Sequence, residues 1–201
     1  TILSGENAYR VFFNDYTSTS PLNTSAVIDT ITIANGLTVS DVSTYGGAMY
    51  NKYASPTIRN CYFYNNTAKN TQSRYEIGGG AIYCINSSMK ISNCFFEKNT
   101  SSARSENSLG GAIFYDGITT SSVVNSTFLS NVSQSGENAR GGAIATRLED
   151  DSTLNIINCT FLKNSTSARS YSNGGAIDSE NVTNVTLTVS NSIFDNNSNI
   201  G

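Results

Sequence analysis

Residues 79–100 read GGAIYCINSSMKISNCFFEKNT, and nearly the same words return along the whole chain. A chain repeats a short word when one local geometry must be rebuilt many times, so the repeat is read first. Gly-Gly-Ala followed by an apolar residue occurs at 46–49, 79–82, 110–113, 141–144 and 174–177, at intervals of 33, 31, 31 and 33 residues. A second word keeps step with it: NCYFYNN from Asn60, NCFFEKN from Asn93, NSTFLSN from Asn125, NCTFLKN from Asn158 and NSIFDNN from Asn191. IDTITIANG from Ile28 aligns with IRNCYFYNN from Ile58 as a sixth, degenerate copy.

Within each copy the period is that of strands. Apolar residues alternate around Ile91, no 3.6-residue stripe is present, and β-branched residues, aromatics and turn formers are abundant. The expectation is three short strands per copy: one after Gly-Gly-Ala, one before the first Asn and one through the Phe, joined by two tight corners and one longer loop. Stacked about 4.8 Å apart, such coils form an all-β, single-stranded parallel β-helix of about six coils. Residues 1–201 read as one domain, with 1–27 an irregular partial coil or cap and 28–201 the repeats.

That fold predicts ladders of like residues. Phe63, Phe96, Phe128, Phe161 and Phe194 form one, and Met49, Ile82, Ile113, Ile144 and Ile177 another. Three residues separate Asn93 from Phe96, and an odd separation breaks the inward parity, so a corner falls between them. Asn60, Asn93, Asn125, Asn158 and Asn191 are therefore read as an asparagine ladder on left-handed backbone, with a second corner at Asn66, Asn99, Asn131, Asn164 and Asn197.

Composition removes several functions. The formal net charge is −3, and twelve scattered Lys and Arg do not make a nucleic-acid footprint. No apolar run reaches the roughly 18 residues of a membrane span and no basic segment leads into an apolar one, so direct membrane insertion is not expected. Histidine is absent and the four cysteines have no CxxC spacing, which argues against a zinc site and a conventional triad; no metal or cofactor is expected. Cys61 and Cys94 fall in adjacent coils, as either a bridge or stacked buried thiols. Polysaccharide-cleaving chemistry needs converging carboxylates, and Glu149, Asp150, Asp151 and Asp178 read as solvated turn or surface groups.

The double motif resembles the repeats of chlamydial polymorphic outer membrane proteins and of related β-helical surface proteins of bacteria and protists, over roughly residues 28–198. The resemblance implies a right-handed helix serving as an extracellular passenger or adhesin-like stalk, with no catalytic residue attached to the motifs. Unlike complete members of that family, the chain shows no signal, anchor or membrane barrel. An extracellular or cell-surface structural and adhesive module is the leading expectation, a segment of a longer chain or a protomer joining others end to end through its termini. A carbohydrate-binding or carbohydrate-cleaving module is the alternative, and an ice-binding face the third.

Eleven N-x-[ST] sequons occur. Asn23, Asn65, Asn86, Asn99, Asn131, Asn164, Asn181 and Asn184 are taken as glycosylation candidates, while Asn125 and Asn158 are expected to be too enclosed. Arg74, Arg104, Arg140 and Arg169 recur at similar depth in the long loops; they read first as solvated spacing between stacked like charges, with a ridge for an anionic or sugar ligand as the alternative. Tyr50 and Tyr83 on neighbouring coils read either as a stacking platform for surface glycans or as an outward aromatic ladder that stiffens the sheet.

Overall fold

The structure, a computed structural model, describes residues 1–40, 44–72, 75–180 and 184–200. Every element among them is a β-strand, and the strands pair in five parallel ladders that run the length of the molecule. One coil shows the plan. Met49–Lys52 follows Gly-Gly-Ala, Thr57–Arg59 precedes the first Asn, Tyr62–Tyr64 carries the Phe, and Thr67–Asn70 and Ile77–Gly78 lead back to the next glycine pair. We call these the GGA, Ile, Phe, small-residue and return sheets. Register holds from coil to coil, with Met49 opposite Ile82, Ile58 opposite Ile91, Phe63 opposite Phe96, Ala68 opposite Ser101 and Ile77 opposite Ser108.

The molecule is thus a parallel β-solenoid of about six turns, with five strands in a full coil instead of three. The three expected strands are present, and the stretch read as one longer loop holds the other two. Those two are hard to see because, apart from Ile77, their inward residues are small or polar: Ala68, Ser101, Ser133 and Thr166 on one, Thr44, Ser108 and Ala139 on the other. Alternation of large apolar side chains, the usual mark of a half-buried strand, is missing from them.

A glycine contact divides each coil into two lobes. A Cβ on Gly111 would lie 2.1 Å from the Gly142 carbonyl oxygen and 2.6 Å from the backbone of Val132, the first residue of a small-residue strand. Only a residue without a side chain allows two backbones to approach so closely. On one side of this pinch lies the main core, which the GGA, Ile and Phe sheets enclose. The rings of Phe63, Phe96, Phe128, Phe161 and Phe194 stack with centroids 4.7–4.8 Å apart and planes within 6° of parallel. On the other side the small-residue and return sheets nearly touch, and the hydroxyls of Ser101 and Ser108 meet at 2.8 Å.

Residues 1–27 contribute strands as well. Ile2–Ser4 continues the Phe sheet beside Thr32–Ala34, and Phe12–Asp15 continues the GGA sheet beside Met49–Lys52. From the Ile sheet through the Phe sheet to the small-residue strand the spacing never changes, as Ile91, Phe96 and Ser101 or Ile156, Phe161 and Thr166 show. Differences in coil length fall at two outer tips, one after the GGA strand and one between the small-residue and return strands.

Candidate interaction surface

The outer face of the GGA sheet concentrates the chemistry of the molecule. Because Met49 and Ile82 point inward, the alternate residues point outward, and register stacks Phe13, Tyr50, Tyr83, Phe114, Ala145 and Asp178 in one column. The first glycine of each pair has a positive φ, 65° at Gly79, and turns the return strand so that its outward residues pack against this column. Tyr45 therefore stacks on Tyr83 at 4.3 Å, while Phe13–Tyr50, Tyr50–Tyr83 and Tyr83–Phe114 are 5.1, 5.4 and 5.5 Å apart.

Tyr50 and Tyr83 are neighbours, yet they do not form an open platform. Tyr83 is 3% exposed and Phe114 is fully buried, since the ring faces are taken up by one another and by Leu109 and Ala145. The Arg147 guanidinium lies 5.3 Å from the Phe114 ring centroid, donates to both Asp116 carboxylate oxygens at 3.0 and 2.8 Å, and reaches Glu76 at 2.8 Å. Tyr83 donates its hydroxyl to Asp116 and Tyr45 donates its own to Glu76. Burial first, and then these carboxylates, push both phenols well above the ordinary tyrosine range. Arg10 closes the other end over Phe13 and Tyr50, at 5.2 and 5.4 Å, and is held by the carbonyls of Tyr45 and Gly46. The 63% exposed ring of Phe13 is what this column presents most fully to solvent.

Beyond Ala145 the column ends in Asp178, with Arg140 paired to Glu180 beside it. Burial raises the Asp178 carboxyl above its usual range, Arg140 opposing and Glu180 reinforcing the shift. A carboxyl whose folded pKa is raised binds its proton more tightly when folded, so it weakens the fold once ionised. Asp178→Asn is therefore expected to raise the thermal midpoint at pH 7 and to give no gain below the ordinary aspartate range, as measured by melting both proteins across pH 3–8. A midpoint lowered by the same amount at every pH would contradict this assignment. Glu149, Asp150 and Asp151 occupy an exposed turn, with Asp151 at a φ of 65°, away from Asp178. Among the described residues no group of three or more Cys, Asp or Glu side chains is arranged to hold a metal ion, and no helix is long and apolar enough to cross a membrane.

The asparagines divide differently from the expectation. Asn60, Asn93, Asn125, Asn158 and Asn191 have φ between 48° and 54° and are exposed at the first corner, where Asn93 donates to Asn60 at 3.3 Å and Asn60 to Asp29 at 2.9 Å. The continuous buried ladder stands at the second Asn. The Nδ2 groups of Asn66, Asn99, Asn131 and Asn164 each donate to the Oδ1 of the next asparagine at 2.9 Å, ending on Asn197. Each also donates to a backbone carbonyl of the coil before, Asn131 to Phe96 at 2.9 Å. At this second corner the left-handed residue is the preceding one: Asn65, Lys98, Ser130, Lys163 and Asn196.

This placement sorts the sequons. Asn99, Asn131 and Asn164 are fully buried with both amide hydrogens engaged, so the folded chain cannot carry glycans on them. Asn23, Asn65 and Asn184 are exposed and Asn86 is half-buried; Asn181 lies outside the described residues. Asn125 and Asn158 are exposed as well, because the corner turns their side chains outward; the expectation that they are enclosed is corrected.

All four cysteines are free and buried. The Cys61 and Cys94 thiols lie at matching positions in neighbouring coils, where Cys61 donates to the Arg59 carbonyl at 3.1 Å and Cys94 to the Ser92 carbonyl at 3.2 Å. Arg104, Arg140 and Arg169 do not form one ridge: Arg140 joins the aromatic face, while Arg104 donates to the Thr71 carbonyl and, with Arg169, flanks a separate concavity. Arg74 lies outside the described residues. Sequence reasoning missed Tyr45, Glu76 and Arg147, which complete the aromatic face; the signal available was Tyr45 one residue before a glycine pair.

A family model described as the Chlamydia polymorphic membrane protein repeat matches residues 60–85 and 158–180. Both segments run from a first-corner Asn into or through the following Gly-Gly-Ala word. Searches of curated proteins and of solved structures returned no significant match.

Proposed function

We propose that this chain is a non-enzymatic, surface-exposed structural and adhesive module of a cell exterior, a right-handed solenoid that holds its outer faces in a rigid array. The observation that carries the reading is a division of labour. The interior repeats the same Phe, Asn and Gly-Gly positions in five coils, and the polymorphic membrane protein repeat recurs in two separate coils, while the outward columns change from coil to coil. Polymorphic membrane proteins sit at the outer membrane and cell surface, and that location is carried over to this chain as part of the proposal. Polystyrene beads coated with the 201-residue chain are expected to be retained on a cultured cell monolayer under flow, at least several-fold over albumin-coated beads. Retention equal to albumin removes the adhesive reading, and turnover of an oligosaccharide by the purified chain removes the non-enzymatic one.

Two further elements belong to the same proposal. The last coil leaves the inward-facing Val189 and Phe194 at 41 and 49% exposure, a cross-section on which another coil, from the same or a second chain, would continue the ladders. Sedimentation equilibrium at rising concentration tests the second-chain version, which a constant mass of 21.5 kDa would exclude. In a glycosylating cell, the exposed Asn23, Asn65, Asn125, Asn158, Asn184 and Asn196 are the acceptors this geometry favours. Glycopeptide mapping that found sugar on Asn99, Asn131 or Asn164 of folded protein would overturn that sorting.

A further inference from the structure

We infer that the tip after the GGA strands carries a binding site for a small neutral saccharide, centred on Tyr53, Asn86 and Glu149. These residues, with Ser18, Pro21, Ser88 and Ile118, line an open concavity of about 580 Å³, within the size range of small-molecule sites. It is built across five successive windings. Residues 16–22 form one wall, fastened by Tyr16 N–H to the Lys52 carbonyl at 3.0 Å, Leu22 N–H to the Tyr53 carbonyl at 3.0 Å and Ser55 N–H to the Leu22 carbonyl at 2.8 Å. The floor is fixed as well: Asn86 Oδ1 accepts from Ile118 N–H at 2.9 Å, and Ser88 Oγ accepts from Thr120 N–H at 2.9 Å.

Three properties point to a sugar. The Tyr53 ring, Pro21 and the 55% exposed Ile118 offer apolar surface for the C–H face of a pyranose. Around them the Tyr53 hydroxyl, accepting from Asn86 Nδ2 at 3.3 Å, keeps its own hydrogen to donate. The Ser88 hydroxyl is in the same state, and the Glu149 carboxylate accepts. Mixed donors and acceptors suit vicinal hydroxyls, and one carboxylate with no lining cation disfavours an anionic sugar.

The backbone supplies an independent reason. Tyr53 has a φ of 47°, a left-handed angle that a bulky residue rarely adopts. The same corner in the next two coils is Asn86 and Gly117, which take that angle at low cost. A tyrosine kept where asparagine would fold more easily is the pattern of a residue retained for its ring.

The inference does not depend on the adhesive reading, since it concerns a ligand of the isolated chain. The test is saturation-transfer NMR on the 201-residue chain from a non-glycosylating host, with methyl glycosides of glucose, galactose, mannose and N-acetylglucosamine, and with glucuronic and sialic acid as anionic comparisons. Transfer to at least one neutral glycoside is expected. Tyr53→Asn should raise its Kd at least about tenfold while the thermal midpoint holds or rises. Glu149→Gln, an exposed substitution that spares the fold, should also weaken it and decides the matter should Tyr53→Asn not fold. No transfer from any neutral glycoside, unchanged binding in the variant that decides, or a preference for the anionic sugars overturns the inference. Bead retention with an empty pocket, or a filled pocket without retention, separates this outcome from that of the proposed function.

Discussion

Asn131→Ala is expected to cost about 3–6 kcal/mol, enough to unfold much of the chain under conditions where the parent is folded. In the parent, the Asn131 Oδ1 accepts both the backbone N–H and the Nδ2–H of Asn99, and its own Nδ2 serves the Phe96 carbonyl and Asn164. Truncation leaves the two Asn99 donors and the Phe96 acceptor buried without those partners. Each such orphan costs about 1–3 kcal/mol, and water has no route to a fully buried position. The first-corner asparagines supply the control. Asn125→Ala removes an exposed side chain and leaves the backbone left-handed, at a cost of about 1–2 kcal/mol. Urea titration measures both from the shift in midpoint at constant slope. Equal losses at Asn131 and Asn125 would mean that the buried ladder contributes nothing beyond its backbone angle.

Phe128→Ala should remove about 3–5 kcal/mol by the same measurement. Its ring is fully buried and packs at 4.8 Å against Phe96 on one side and Phe161 on the other, so truncation opens a cavity and strips both neighbours of a packing face. Phe194, 49% exposed in the last coil, touches one ring, and Phe194→Ala is expected to cost less than half as much. A gradient from middle to end separates ladder packing from a general preference for aromatic residues. If both variants lost the same amount, the stack would not be the source of the stability.

What was legible in the sequence follows the size of the inward residues. The Phe and Ile columns announce themselves because large apolar side chains recur at fixed spacing, and their register is that of the structure. The small-residue and return strands do not, since an inward Ser or Ala differs little from the same residue in a loop. Parity placed a corner near each Asn, but it could not tell which of two asparagines turns the backbone and which enters the core. At the second corner the turning residue is Asn65, Lys98, Ser130, Lys163 or Asn196 by coil, and that variety hid its common role. The buried Asn is then followed two positions on by an inward Ser101, Ser133 or Thr166, so the fold itself writes three of the eleven sequons. The aromatic face was half visible. Tyr50 and Tyr83 could be stacked from spacing alone, whereas Arg147 reaching Glu76 joins residues two coils apart and depends on the return strand folding back over the column.

Because every change in coil length falls at the two tips, while the run from Ile to the buried Asn keeps one count throughout, the molecule behaves as a ruler with adjustable flags. A foreign peptide spliced between Asp150 and Asp151 would be carried outward on a fixed spine, at an axial height set by the number of windings beneath it.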